Sequence, residues 1–346
     1  MNKKIMAFVP TLPFLLTMAC DSSEMNDTTT DPVETTEASD EDPEPVKEET
    51  VDAAPEEDNE DTSTTDDVAE EETVEHDELF FTENIMLNYN ELIDEEHGVI
   101  PVVAITVSAS DLEHRLSHSF QSSDTTQDHI TEHLTNVEID DNNVIHFTFP
   151  EDFPDGSISM ASTESLVFTN MLHVISDGFG AKQMNFYAGD ELGVMINPLD
   201  ELSEVPVVLD DGVGYYRPSI SLDSDYENPL IPTRSTDHTI LSDDFEEVLH
   251  ELQAFEGGAY YESPIPDVIE LHDAWIEDDG KAQLHYSITD ESEWDEEQQQ
   301  AFEYAVFLTA LDFNATNARL VDEGNQEILD FPLLEDRDPH ANQPEH

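Results

Sequence analysis

The stretch FGAKQMNFYAGDELGVMINPL, Phe179 to Leu199, returns 134 positions later as FNATNARLVDEGNQEILDFPL, Phe313 to Leu333. Laid over each other without a gap, Phe179 meets Phe313, Ala181 meets Ala315, Pro198 meets Pro332 and Leu199 meets Leu333. The offset continues upstream. Phe168, Met171, Leu172 and Ile175 fall on Phe302, Ala305, Val306 and Thr309. Both sets have the i, i+3, i+4, i+7 spacing of one helix face. Acids in Ser292-Glu-Trp-Asp295 suit the start of the second of these helices. Each helix is expected to lead into a strand, Gln183–Tyr187 or Ala318–Val321.

Further upstream, HLTNVEIDDNNVIHFTF (His133 to Phe149) pairs with ELHDAWIEDDGKAQLHY (Glu270 to Tyr286), now at an offset of 137. Each reads as a hairpin, with alternating apolar residues around a polar turn at Asp140–Asn143 or Asp278–Gly280. Val99-Ile-Pro101 pairs with Leu230-Ile-Pro232, and each precedes a helix start. Ser110-x-x-Glu113 forms a capping box, and Asp243-x-x-Glu246 is a close variant. Leu112 and Leu116 mark one helix, and Phe245, Leu249 and Leu252 the other. LFFT (Leu79 to Thr82) and GYYR (Gly214 to Arg217) are expected as the leading strands.

Each copy therefore reads strand, strand, helix, hairpin, helix, strand. The fold class is α/β (α+β), with two tandem small modules, each a mixed sheet with two helices on one face. The expected boundaries are 79–200 and 213–335, joined by a linker at 201–212.

This order, the (V/L)IP strand, the hairpin with its Asp/Gly turn and the F-x-A helix end resemble the GerMN domain. So does the Ser263-Pro-Ile-Pro266 run before the second hairpin. That family is the sporulation-and-germination module of germination-protein-M-like lipoproteins, often found in tandem. The resemblance covers nearly all of 79–335. It implies a non-catalytic envelope module whose fold is similar to ring-building domains of secretion-type assemblies. It makes assembly or scaffolding the leading function.

The N-terminus sets the expected compartment. Lys3 and Lys4 precede a largely apolar run, Ile5 to Ala19, that ends at Cys20, the only cysteine. The run is too short to span a bilayer, which takes about 20 apolar residues, and reads as a secretory signal. The position of Cys20 resembles a lipobox, so lipidation at Cys20 is expected. Residues 21–78 hold 26 acidic residues against one lysine, Lys47. Such a segment buries too little apolar surface to fold, and reads as a disordered acidic tether. The tail 336–346 is read the same way. The expected location is the extracytoplasmic side of a bacterial membrane.

Of the 84 acidic residues, 58 remain in 79–346, facing seven basic ones. A globular part this acidic repels itself unless salt screens it. A saline habitat is therefore expected. The same charge argues against nucleic acid, because no basic patch exists to neutralise phosphates.

Chemical motifs are sparse. Gly178-Phe179-Gly180 is a lone G-x-G and reads as a helix-end turn. No Ser sits in G-x-S-x-G, and with so many carboxylates no single acidic pair singles itself out. His114/His118 and His129/His133 have the i, i+4 spacing of zinc ligands on a helix, but in an acidic chain read as solvated histidines. Asp223–Asn228 and Asp140–Asn143 offer clustered oxygens but lack the glycine and terminal Glu of an EF-hand loop. No enzyme activity, metal or cofactor is expected. Trp275, Tyr260 and Tyr261 are the candidate contacts for a glycan or a protein partner. An envelope protein or self-assembly is the leading partner; peptidoglycan or another polysaccharide is the alternative.

Overall fold

The computed structural model describes residues 77–153, 159–199 and 201–334. The expected signal segment, Cys20, the tether before Asp77 and the tail lie outside the described residues. Among the described residues, no helix is long and apolar enough to cross a membrane.

The chain opens with β1 (Asp77–Phe80). The first module then runs β2 (Asn84–Asp94), β3 (Gly98–Ser108), α1 (Leu112–Ser123), β4 (Asn136–Ile139), β5 (Val144–Phe149), α2 (Ser162–Gly178) and β6 (Gln183–Ala188). Four short strands follow: β7 (Glu191–Leu192), β8 (Val194–Met195), β9 (Glu201–Leu202) and β10 (Glu204–Pro206). The second module has β11 (Tyr215–Pro218), β12 (Ile231–Pro232), α3 (Phe245–Ala254), β13 (Tyr261–Glu262), β14 (Ile269–Ile276) and β15 (Lys281–Ile288). It ends with α4 (Glu296–Asp312), β16 (Asn317–Asp322) and β17 (Glu327–Pro332). The architecture is mixed α/β, two modules with two helices each.

The two main sheets share one plan. β5 lies parallel to β6, and β15 lies parallel to β16. In each, the antiparallel hairpin partner, β4 or β14, forms one edge. The leading strands stand apart from these sheets. β2 and β3 form their own hairpin, and β11 pairs with β12 and β13. Helix α1 lies against both β2 and β4. Its buried Ser119 and Ser123 accept hydrogen bonds from the backbone N–H groups of Leu87 (3.0 Å) and Tyr89 (2.9 Å). Serine hydroxyls thus satisfy strand donors that a neighbouring strand would otherwise take. Buried Arg115 donates to the carbonyls of Ile85 (3.0 Å) and Ser110 (3.2 Å).

The repeated F-x-A is a helix end in both copies. Gly180 and Asn314 occupy the left-handed region, at φ +75° and +62°. Ala181 N–H then reaches back to the Ser176 carbonyl (2.8 Å), and Ala315 N–H to that of Ala310 (2.9 Å). Glycine and asparagine are the residues that tolerate this conformation. The helix faces of the repeat are all buried. Helix starts fall one residue later than the first capping boxes suggest. Asp111 caps His114 N–H (2.9 Å) and Asp244 caps Glu247 N–H (3.1 Å). Ser110 is occupied by a turn to Ser108, and the next aspartate caps equally well. Asp295 caps α4, as its acidic start suggests.

Three expectations are corrected. The gapless overlay fails at its end: Gln183 pairs with Pro206, as Asn317 pairs with Pro332. Val207 N–H bonds the Lys182 carbonyl as Leu333 N–H bonds that of Thr316, both at 2.9 Å. Pro206, not Pro198, is therefore the counterpart of Pro332. The extra residues of the first copy form β7, β8 and β9. Second, 201–212 is not a free linker, because β10 closes the first module's sheet. Its Pro206 is tolerated because β10 is an edge. Third, Leu79–Thr82 is not a leading strand of the first module. β1 lies parallel on β17 of the second, with Leu79 opposite Leu329. The first module's leading strand is β2.

The modules share one continuous apolar core. Val103 in β3 and Leu230 exchange two backbone hydrogen bonds, 2.8 and 2.7 Å. Tyr226 Oη donates to the Ser122 carbonyl at 2.7 Å. Helix α4 is buried at every position from Ala305 through Leu311, and so on all its sides. Phe307 stacks on Phe331 of its own sheet (4.6 Å), while Leu308 and Leu311 reach the seam with the first module.

Candidate functional site

A partly open pocket of about 400 Å³ lies at the seam. Leu87, Val103 and Val174 of the first module and Leu308 and Leu311 of the second give it apolar walls. A buried ion pair is part of its lining. Arg234 Nη2 donates to Asp312 Oδ1 at 2.8 Å. Tyr215 Oη donates to the same oxygen (3.3 Å), and Gly214 N–H to the other (2.8 Å). Burial outweighs these partners and pushes the Asp312 carboxyl from its ordinary 3.8 up to about 6. Burial likewise pushes the Tyr215 hydroxyl up. Among the first module's lining residues, Tyr89 Oη and Asn170 Nδ2 both donate to Glu91 Oε1 at 2.8 Å. His173 Nδ1 accepts from Val208 N–H (3.2 Å), and burial holds its pKa below the ordinary value. These groups hold one another. Each set lies within one module, Arg234, Asp312, Tyr215 and Gly214 in the second and Tyr89, Glu91 and Asn170 in the first, so buried charge at the seam is paired on its own side.

The sequence reading did not find this cluster. One signal was available. Asp312 sits in the last turn of α4, where the helix dipole disfavours an acid. An apolar helix ending on a carboxylate calls for a cationic partner, and Arg234 is one of few.

Of the three aromatic candidates, the neighbours Tyr260 and Tyr261 meet edge-on with ring centroids 5.1 Å apart. Trp275 lies on β14, an edge strand, 41% exposed, with its indole stacked on His285 at 5.3 Å. Tyr260 is half-buried and its ring sits 5.3 Å from that of His97 in the first module. Tyr261 is corrected from contact residue to core residue. It is 2% exposed, stacks on Phe255 and Tyr216, and donates its hydroxyl to Asp237. Its place on β13 turns it inward.

The histidine and acidic motifs resolve into local structure. His114 and His118 stand with ring centroids 6.1 Å apart. His129 adopts φ +44° ahead of the 3-10 turn Ile130–His133, so His129 and His133 do not share an α-helical face. Asp140 accepts from the N–H groups of Asn142 and Val144, both at 2.9 Å, and shapes the hairpin turn. Among the described residues, no three His, Cys, Asp or Glu side chains gather as a metal site would require.

No family model matches the chain, and no curated protein matches it. Among solved structures, it is similar to the tandem GerMN domains of the sporulation protein GerM from Bacillus subtilis. That similarity has 13% identity and a TM-score of 0.36, and covers 72% of this chain and 97% of the other.

Proposed function

We propose that this chain is a non-catalytic cell-envelope lipoprotein whose two modules act as one protein-binding and assembly body. Lipid on Cys20 holds it at the outer side of a membrane, and the acidic segment gives it reach. The GerMN-like order of elements supports the assembly reading. The observation that carries it is the apolar edge at β1. Leu79, Phe80 and Phe81 are 54%, 64% and 43% exposed on and just after the outermost strand of a sheet. Soluble proteins blunt such edges unless something pairs with them. Mild crosslinking on intact cells, followed by purification and mass spectrometry, tests the reading. The expected result is one dominant envelope protein captured by the wild type and lost with Cys20→Ser. Recovery of cell-wall fragments alone would overturn it.

A second reading, glycan binding, is favoured by Trp275 stacked on His285 as an exposed platform. It expects pelleting with insoluble cell wall, lost on Trp275→Ala.

A further inference from the structure

The register of the two main sheets singles out one strand as an addition. β4, β5, β6 and β10 correspond in direction to β14, β15, β16 and β17. Among the described residues, nothing pairs on the outer side of β10. The second module nevertheless carries a fifth strand beyond β17. That strand, β1, comes from the chain before the first module and lies parallel on the β17 edge. The β17 edge thus accepts an extended peptide that belongs to neither repeat.

The hold on β1 is slight. Four residues are in register with β17, and Phe81 N–H adds one bond to the Asp330 carbonyl (3.2 Å). The ring of Phe81 meets that of Phe331 at 5.4 Å. Leu79 and Phe80 remain more than half exposed, so docking recovers only part of their apolar surface. Phe81, Thr82 and Glu83, all exposed, are the whole connection to β2. A short hinge between a weakly held edge strand and a firmly packed body is the geometry that allows exchange between copies.

We propose that β1 is an exchangeable strand: it leaves its own β17 edge, and that edge takes Glu78–Phe81 of a second copy. The second copy is the fitting occupant because these residues already match this edge in register. Every copy also carries both the strand and the acceptor, so exchange can close a pair or run on as a chain. Strand addition of this kind draws its hold from backbone hydrogen bonds, with side chains setting choice. The inference rests on the assembly reading for its purpose only. It names the surface and the partner.

Cysteine trapping tests it on purified full-length protein carrying Cys20→Ser. Leu79 and Leu329 face each other across neighbouring strands, a spacing of about 4.8 Å that a disulfide can bridge. A chain with both Leu79→Cys and Leu329→Cys reports the closed form as an internal disulfide. Mixing a chain with Leu79→Cys alone and a chain with Leu329→Cys alone reports exchange as a mixed 79–329 disulfide, identified by mass. The expected result is a mixed product well above that formed when Val208→Cys replaces Leu329→Cys. A synthetic peptide of residues 77–83 should suppress it, and a scrambled peptide should not. Internal closure of the double variant with no mixed product overturns exchange. Failure of the double variant to close overturns the docking of β1 itself. Neither failure touches capture of an envelope partner, which the crosslink on cells reads separately.

Discussion

Asp312 is the buried carboxylate of the second module's side of the seam. Its carboxyl is raised by burial although Arg234 and Gly214 N–H both favour the charged form. The linkage has a definite sign. A group whose pKa is higher folded than unfolded stabilises the fold at low pH, and that contribution is lost as pH rises through the folded pKa. For Asp312 the window runs from about 4 to about 6. A pKa difference of roughly 2 corresponds to about 3 kcal/mol. Glu303 is raised by burial as well, so the comparison must be with Asp312→Asn, which keeps Glu303. Urea denaturation at high salt is expected to show the wild type losing about 3 kcal/mol relative to Asp312→Asn between pH 4 and pH 8. A gap that widens in favour of the wild type as pH rises would mean that the Arg234 pairing outweighs burial.

Among the elements, β3 decides whether the modules behave as one unit. Val103 sits opposite Tyr89 in the β2–β3 ladder, yet its N–H points the other way, to the Leu230 carbonyl. Val103→Pro therefore removes a donor between modules rather than within the first hairpin. Proline here removes that hydrogen bond and leaves the Leu230 carbonyl without its donor, a loss of about 1–3 kcal/mol. The expected outcome is that a single thermal transition in calorimetry separates into two, with the first module melting earlier. One unchanged transition would show that the apolar seam alone couples the modules. What is legible in the sequence follows the same division. Helix faces, hairpin turns and the left-handed helix ends at Gly180 and Asn314 are local, and periodicity and turn chemistry reveal them. The strand that replaces the expected linker is hidden because Pro198-Leu199 imitates Pro332-Leu333 more closely than Pro206-Val207 does. β1 goes to the wrong sheet because LFFT says only that a strand forms, not which edge it joins. The Arg234–Asp312 brace spans 78 residues, and only the polarity of α4 hints at it. Tyr261 reads as surface because an aromatic pair on a strand does not reveal which ring turns inward.

For the whole molecule, charge is the dominant unbalanced term. The 58 acidic residues of 79–346 face seven basic ones, and Arg217, Arg234, Lys281 and Arg319 are already engaged with Glu262, Asp312 and Asp330. Most carboxylates on the surface therefore see mainly each other. Screening shortens from about 30 Å at 0.01 M salt to about 3 Å at 1 M, so raising salt removes repulsion between neighbouring surface acids. The buried Arg234–Asp312 pair, shielded from ions, is affected far less. Thermal unfolding of the full chain is expected at a markedly higher temperature in 1 M sodium chloride than at 0.01 M. Chloride is the right salt for this comparison, because sulfate also strengthens apolar burial and would raise stability without any charge effect. Equal melting temperatures at the two concentrations would mean that the acidic surface costs the fold nothing. The expectation of a saline habitat would then lose its physical basis. A rise that survives in Asp312→Asn would place the effect on the surface, where the composition puts the charge.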